Sequence, residues 1–226
     1  MNKLLKLLSV ALLAGLAVLD TQAQAWTITV SGTIDSENPV FGQPGYASPF
    51  GMPGESLVGA SYTMTITTDP SLNSFVESST STLHITYGGT STDKGPAAPY
   101  TIKVTVNGVT FIQTEPIPAY NSSYLQSLRQ PNFMDQVFQE VKSNACTWAY
   151  GLCIDSYILA YSVSTGFLRN VDFNQTVTVP VPGRLDPDSR VYFAFRTGPY
   201  DPGSFQQFST LYGNISKLSI NVGHNE

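Results

Sequence analysis

Trp26-Thr27-Ile28-Thr29-Val30-Ser31-Gly32-Thr33-Ile34 decides the fold. Trp26, Ile28, Val30 and Ile34 share one phase with Gly32; Thr27, Thr29, Ser31 and Thr33 share the other. A period of two belongs to a pleated strand with one dry face and one wet face. Threonine suits the wet face, because its branched side chain fits extended backbone. Ala60 to Thr68 repeats the pattern, with Tyr62, Met64 and Ile66 set against Ser61, Thr63, Thr65 and Thr67. Asp69-Pro70 ends that run, since proline has no ladder N–H. Leu83-His84-Ile85-Thr86-Tyr87 is a third run, stopped by Gly88-Gly89. Its alternation sets His84 out of phase with Leu83 and Ile85 and predicts a sheet-surface histidine.

Tyr100 to Ile112 reads as a hairpin: Ile102, Val104 and Val106, then Asn107-Gly108, then Val109 and Phe111. Asn-Gly is the strongest two-residue turn signal, because both residues tolerate positive φ. Further strands are predicted at Ile154–Ser164, Phe173–Val179, Arg190–Thr197, Phe205–Tyr212 and Ile215–Val222. Phe133 to Val141 fits a helical or an extended period, and its β surroundings favour a strand. Short runs parted by Gly, Pro, Asn and Asp predict an all-β protein. The expected architecture is an antiparallel β-sandwich, jelly-roll-like or Ig-like, forming one domain over residues 26–226.

Residues 35–59 form a long Pro/Gly-rich connection, in which Phe41-Gly42-Gln43-Pro44-Gly45 recurs as Phe50-Gly51-Met52-Pro53-Gly54. Each Pro-Gly favours a type II turn. Long loops often carry binding residues, so Phe41 and Phe50 are ligand-binding candidates. The alternative is a doubled turn whose phenylalanines tuck under the sheet edge.

Lys3 and Lys6, an apolar run from Leu7 to Leu19 and Ala23-Gln24-Ala25 have the form of a secretory signal peptide over residues 1–25. Export to the periplasm or medium and a mature protein beginning near Trp26 are expected. No second long apolar run follows, so no transmembrane anchor is expected. The chain's formal charge of −5 gives no electrostatic reason to bind nucleic acid. Cys146 and Cys153 are the two cysteines. In an oxidising compartment the simplest reading is one local disulfide.

Signals for chemistry are sparse. There is no Gly-x-Ser-x-Gly elbow, no His-Glu-x-x-His and no cofactor motif. His84 and His224 are the two histidines, and neither has the setting of a triad member. Glu37, Glu55, Glu77, Glu115 and Glu140 form no strand cluster, so no catalytic residue and no cofactor is assigned. Asp186, Asp188 and Asp201 offer oxygens to calcium, although Asp before Pro is also ordinary turn chemistry. Trp148 and Tyr150 lie between the cysteines. Rigid exposed rings there could stack on sugars, or roof the core.

Several stretches resemble a group of secreted bacterial β-proteins associated with the PEP-CTERM/exosortase sorting system. They are the opening strand at 27–34, Val40-Phe41-Gly42, Ser56-Leu57-Val58-Gly59 and the run from Tyr62 to Pro70. Asp135-Gln136-Val137-Phe138, the cysteine pair and Asp172-Phe173-Asn174-Gln175-Thr176 are similar to later parts of that group. The resemblance implies a surface or matrix component of β structure and brings no catalytic residues. It departs at the end, Ile220-Asn221-Val222-Gly223-His224-Asn225-Glu226, which has no Pro-Glu-Pro, apolar helix and Arg cluster. Release rather than membrane tethering is therefore expected. The leading functional expectation is a non-catalytic secreted protein that binds glycan or other extracellular components. Two alternatives stand beside it: a glycan hydrolase using a carboxylate pair, and a self-assembling structural subunit.

Overall fold

The structure, a computed structural model, describes residues 25–39, 50, 55–68, 70–71, 76–89, 100–113, 119–128, 134–143, 152–162, 166–180, 185–197 and 207–223. Over these residues the chain is all-β and antiparallel, with no helix. Its strands are β1 (Trp26–Pro39), β2 (Ser61–Thr68), β3 (Val76–Ser79), β4 (Leu83–Gly89), β5 (Tyr100–Val106), β6 (Val109–Gln113) and β7 (Ala119–Leu128). They continue with β8 (Met134–Ser143), β9 (Leu152–Ser162), β10 (Val177–Pro180), β11 (Arg190–Thr197), β12 (Gln207–Asn214) and β13 (Lys217–Val222).

Strand β1 belongs to two sheets. Its first half pairs with β2 and β13, Ile28 lying opposite both Ile66 and Ile220. Its second half pairs with β12, from Ile34 opposite Gly213 to Pro39 opposite Ser209. A register shift between Ile34 and Ser36 marks the changeover, as a bulge does when it bends a strand. One sheet then runs β10-β13-β1-β2-β5-β6 and the other β3-β4-β7-β8-β9-β11-β12-β1. The layers enclose a core drawn from both: Ile28, Val30, Met64, Ile66, Ile102 and Val104 from the first, Ile158, Val191, Phe193 and Leu211 from the second. Each such side chain contributes about 1.5–3 kcal/mol on burial, which makes this double layer the main stabilising feature. The β-sandwich expected from the alternation is the observed architecture.

The changeover is tightly built. A Cβ on Gly32 would overlap the main-chain oxygen of Asn214, so the close approach requires glycine. The Asn214 side-chain oxygen accepts from the N–H of Thr33 at 3.1 Å and from its hydroxyl at 3.1 Å. The Tyr62 hydroxyl donates to the Asn214 main-chain oxygen at 2.7 Å. Ser216 donates to the Ser31 carbonyl from its N–H at 2.8 Å and from its hydroxyl at 2.9 Å. Burial, with a smaller push from the Asp35 carboxylate, raises the Tyr62 phenol far above its ordinary range.

Most predicted strands stand within two or three residues of their predicted ends. Asn107 and Gly108 have φ of 50° and 83°, the double positive φ of the expected hairpin turn. The ambiguous stretch at 133–141 is a strand, β8. Three expectations need correction. The connection at 35–59 begins later, because residues 35–39 pair with β12. The predicted strand at 173–179 is extended only at β10; residues 166–176 turn back on themselves. The short β3 and the long β7 were not foreseen. Ala119-Tyr120-Asn121-Ser122-Ser123 lacks β-branched residues, and β7 is fixed by its neighbours β4 and β8 instead.

Candidate functional site

The site grows from the β3–β4 hairpin. Its turn is held by Thr80, whose N–H donates to the Leu83 carbonyl at 2.7 Å. The Thr80 hydroxyl oxygen accepts the N–H groups of Leu83 and Thr82 at 3.1 and 3.3 Å. The ladder sets Ser79 opposite His84 and Glu77 opposite Thr86, so these four residues share one face.

That face looks inward at His84 and Thr86, which are 5% and 1% exposed. The surface position predicted for His84 is therefore corrected. Leu83 and Ile85 take the half-buried phase, and the histidine takes the inner one. The reason lies in its partners. His84 Nε2 meets Glu77 Oε1 at 2.6 Å, and the imidazole packs edge-on against Phe173 with centroids 4.8 Å apart. Phe173 stacks on Trp26 at 4.3 Å, and Trp26 meets the edge of Tyr100 at 6.0 Å. The Tyr100 hydroxyl donates to Thr86 Oγ1 at 3.1 Å, closing the ring of contacts back onto β4. The buried imidazole needs such partners, because an unmatched buried group costs about 1–3 kcal/mol.

The opposite wall is the turn at 169–175, built around buried Gln175. Its side-chain N–H groups donate to the carbonyls of Asn170 and Asp172 at 2.9 and 2.6 Å. Its oxygen accepts the N–H of Arg169 at 3.2 Å. Asn170 Oδ1 accepts the N–H of Asp172 at 2.9 Å, and Asp172 Oδ1 accepts that of Asn174 at 2.8 Å. These are consecutive Asx turns, which Asn and Asp make readily because their short side chains reach the backbone two residues on.

Between the walls lies an open cleft of about 380 Å³, lined by Glu77, Ser79, Thr80, Ser81 and His84 on one side and Asn170, Val171 and Asp172 on the other. Oε1 of Glu77 and Oδ1 of Asp172 are engaged; their second oxygens make no hydrogen bond among the described residues. The same holds for the hydroxyls of Ser79 and Ser81, which are exposed. The cleft lining therefore presents hydroxyl, amide and carboxylate groups, with the Glu77 and Asp172 carboxylates each held through one oxygen.

The residues singled out from sequence lie elsewhere. Phe50 is 4% exposed and sits in the core, so its ring is under the sheet rather than open to a ligand. Phe41, Trp148, Tyr150, Cys146 and Asp201 lie outside the described residues. Cys153 is in β9, opposite Arg196 of β11. Asp186 and Asp188 belong to a turn docked on β9. The Asp186 N–H donates to the Tyr161 carbonyl at 2.8 Å, and its carbonyl accepts the Ser189 N–H at 2.9 Å. Arg190 Nε donates to the Asp188 carbonyl at 3.2 Å. Desolvation, then the charges of Asp188 and Asp186, raise the Tyr161 phenol, partly opposed by Arg190. Among the described residues no group of three His, Cys, Asp or Glu side chains is placed to hold a metal ion. Glu37 has a structural role, accepting the Leu57 N–H at 3.0 Å.

Sequence reasoning missed Glu77, His84, Asn170 and Asp172 as neighbours. Asp172-Phe173-Asn174-Gln175-Thr176 was legible as a motif, but nothing in it announces His84 as its contact. No helix among the described residues is long and apolar enough to cross a membrane. No family model matches the chain, and no curated protein and no solved structure matches it.

Proposed function

We propose that the protein is a non-catalytic, exported β-sandwich that binds glycan at the cell surface or in extracellular matrix, using the cleft between the β3–β4 hairpin and the 169–175 turn. One observation carries this reading. The polar atoms that hold the cleft walls are matched to one another, while other polar atoms of the lining residues have no protein partner among the described residues. Fixed groups of this kind bind hydroxylated ligands with little ordering entropy to lose. The leader at residues 1–25 and the resemblance to secreted matrix proteins support the extracellular setting. The amino terminus of protein recovered outside the cell is expected near Trp26; an intact leader on cytosolic protein would contradict export.

A glycan array probed with the purified protein tests the binding. Retention of one glycan class is expected, weakened by Asp172→Asn. Absence of binding to any glycan, to whole cells and to matrix would remove the proposal. Glu77 and Asp172 in one cleft also invite a hydrolase reading, but among the described residues no Phe, Tyr or Trp lines the cleft to seat a sugar for attack. No new reducing ends are expected on incubation with a bound glycan; their release, abolished by Glu77→Gln, would replace binding with catalysis. A self-assembling subunit draws some support from β6, the outermost strand of its sheet, where Val109 and Ile112 are 45% and 46% exposed. Sedimentation at rising concentration tests it, a constant mass excluding assembly.

A further inference from the structure

We propose that the cleft selects a protonated amino sugar, a pyranose bearing a free ammonium group, over neutral and acidic sugars. This rests on the glycan-binding reading above and gives that site its ligand class.

Charge, size and unspent hydrogen bonds together point to this class. Glu77 and Asp172 come from opposite walls and line one volume of about 380 Å³. That is the small end of the range for small-molecule sites, about 300–1,000 Å³, and suits one or two sugar rings. Among the described lining residues His84 is the one that can carry positive charge. Against that imidazole the lining sets two carboxylates, Glu77 and Asp172. Arg169 belongs to the wall turn, but it is exposed and is not among the residues that line the cleft. A uronic acid would thus bring like charge into the cleft, where the His84 imidazole is already engaged by Glu77. An N-acetylated or neutral sugar would leave both free carboxylate oxygens with only hydroxyl or amide donors. An ammonium group supplies up to three donors and the opposite charge, and charge-assisted hydrogen bonds are about twice as strong as neutral ones. The remaining groups, the hydroxyls of Ser79 and Ser81 and the Asn170 amide, are suited to ring hydroxyls rather than to more charge.

The test is calorimetric titration of the full chain, in mildly acidic buffer, with four probes. They are glucosamine tetramer, N-acetylglucosamine tetramer, galacturonic acid tetramer and spermidine. The glucosamine tetramer is expected to bind about tenfold or more tightly than its acetylated form, the size of one charge-assisted contact. The galacturonic acid tetramer is expected not to bind, and added salt is expected to weaken the glucosamine complex. Asp172→Asn and Glu77→Gln each keep an acceptor for their protein partner, so both should fold. Each is expected to reduce glucosamine-tetramer affinity about tenfold while leaving weak binding of the acetylated tetramer unchanged. Equal affinity for the two glucosamine forms, or undiminished binding by both variants, would overturn the selectivity while leaving glycan binding in place. Spermidine binding as tight as the tetramer would overturn it too, by showing that the hydroxyls contribute nothing. A protein that bound no glycan at all would remove the glycan reading and this inference with it.

Discussion

The β1 changeover and the cleft are both built from Asn, Asp, Ser, Thr and a buried ring, yet they differ in how their polar atoms are used. At the changeover the Asn214 oxygens, the Tyr62 hydroxyl and the Ser216 hydroxyl all end on the protein itself. At the cleft one set does the same through Gln175, while a second set on the lining residues has no protein partner among the described residues. Closed polar groups specify a fold, because leaving one buried and unmatched is expensive. Open but rigidly mounted groups specify a ligand. Residue type does not separate the two; the count of remaining partners does.

Substitutions can break that distinction, starting with the largest effect. Gly32→Ala forces a methyl group onto the Asn214 backbone, which a side-chain rotation cannot relieve. We expect a loss of about 3 kcal/mol or more in urea unfolding. A loss below about 1 kcal/mol would mean that the crossing is looser than its contacts imply. Gln175→Leu removes three hydrogen bonds that hold one cleft wall. It should lower stability by about 2 kcal/mol and abolish glycan retention, as judged by unfolding and array binding together.

Tyr62→Phe leaves the Asn214 carbonyl short of a donor and should lower stability by about 1–2 kcal/mol. It also changes the response to alkali. Burial raises the Tyr62 phenol above its ordinary 10.0, so the folded state holds that proton more firmly than the unfolded state. Its contribution is complete below pH 10 and is lost as pH rises beyond it. The slope of stability against pH in that window should be shallower in the variant; equal slopes would show that Tyr62 does not carry the effect. The smallest effect is expected from Ser79→Ala with Ser81→Ala, within about 0.5 kcal/mol of the parent. A larger loss would make the second set structural and erase the contrast.

How much of this was visible in the chain follows the same division. Alternation in β1 and β2 revealed the buried faces, because Ile28, Val30, Met64 and Ile66 have no reason to face water. Asn107-Gly108 fixed a turn through local backbone preference alone. His84 defeated the same logic. A period of two tells which residues share a face, but the inner face of β4 was decided by Phe173 and Glu77, which alternation within one strand cannot weigh. Glu77 and Asp172 are far apart in sequence, so their meeting across a cleft depends on tertiary pairing that no local pattern records. Phe50 could be read either way, and burial assigned it to the core.

The shared strand has a consequence for how the molecule assembles. β1 is the first strand described, but of its three neighbours only β2 follows closely; β12 and β13 are the last two. A polypeptide delivered amino end first must hold β1 half-paired until β12 and β13 have arrived. Loop closure over such separations is slow, as in other folds dominated by distant pairings. β12 and β13 act as a latch: the two layers can lock only when both reach their own halves of the opening strand.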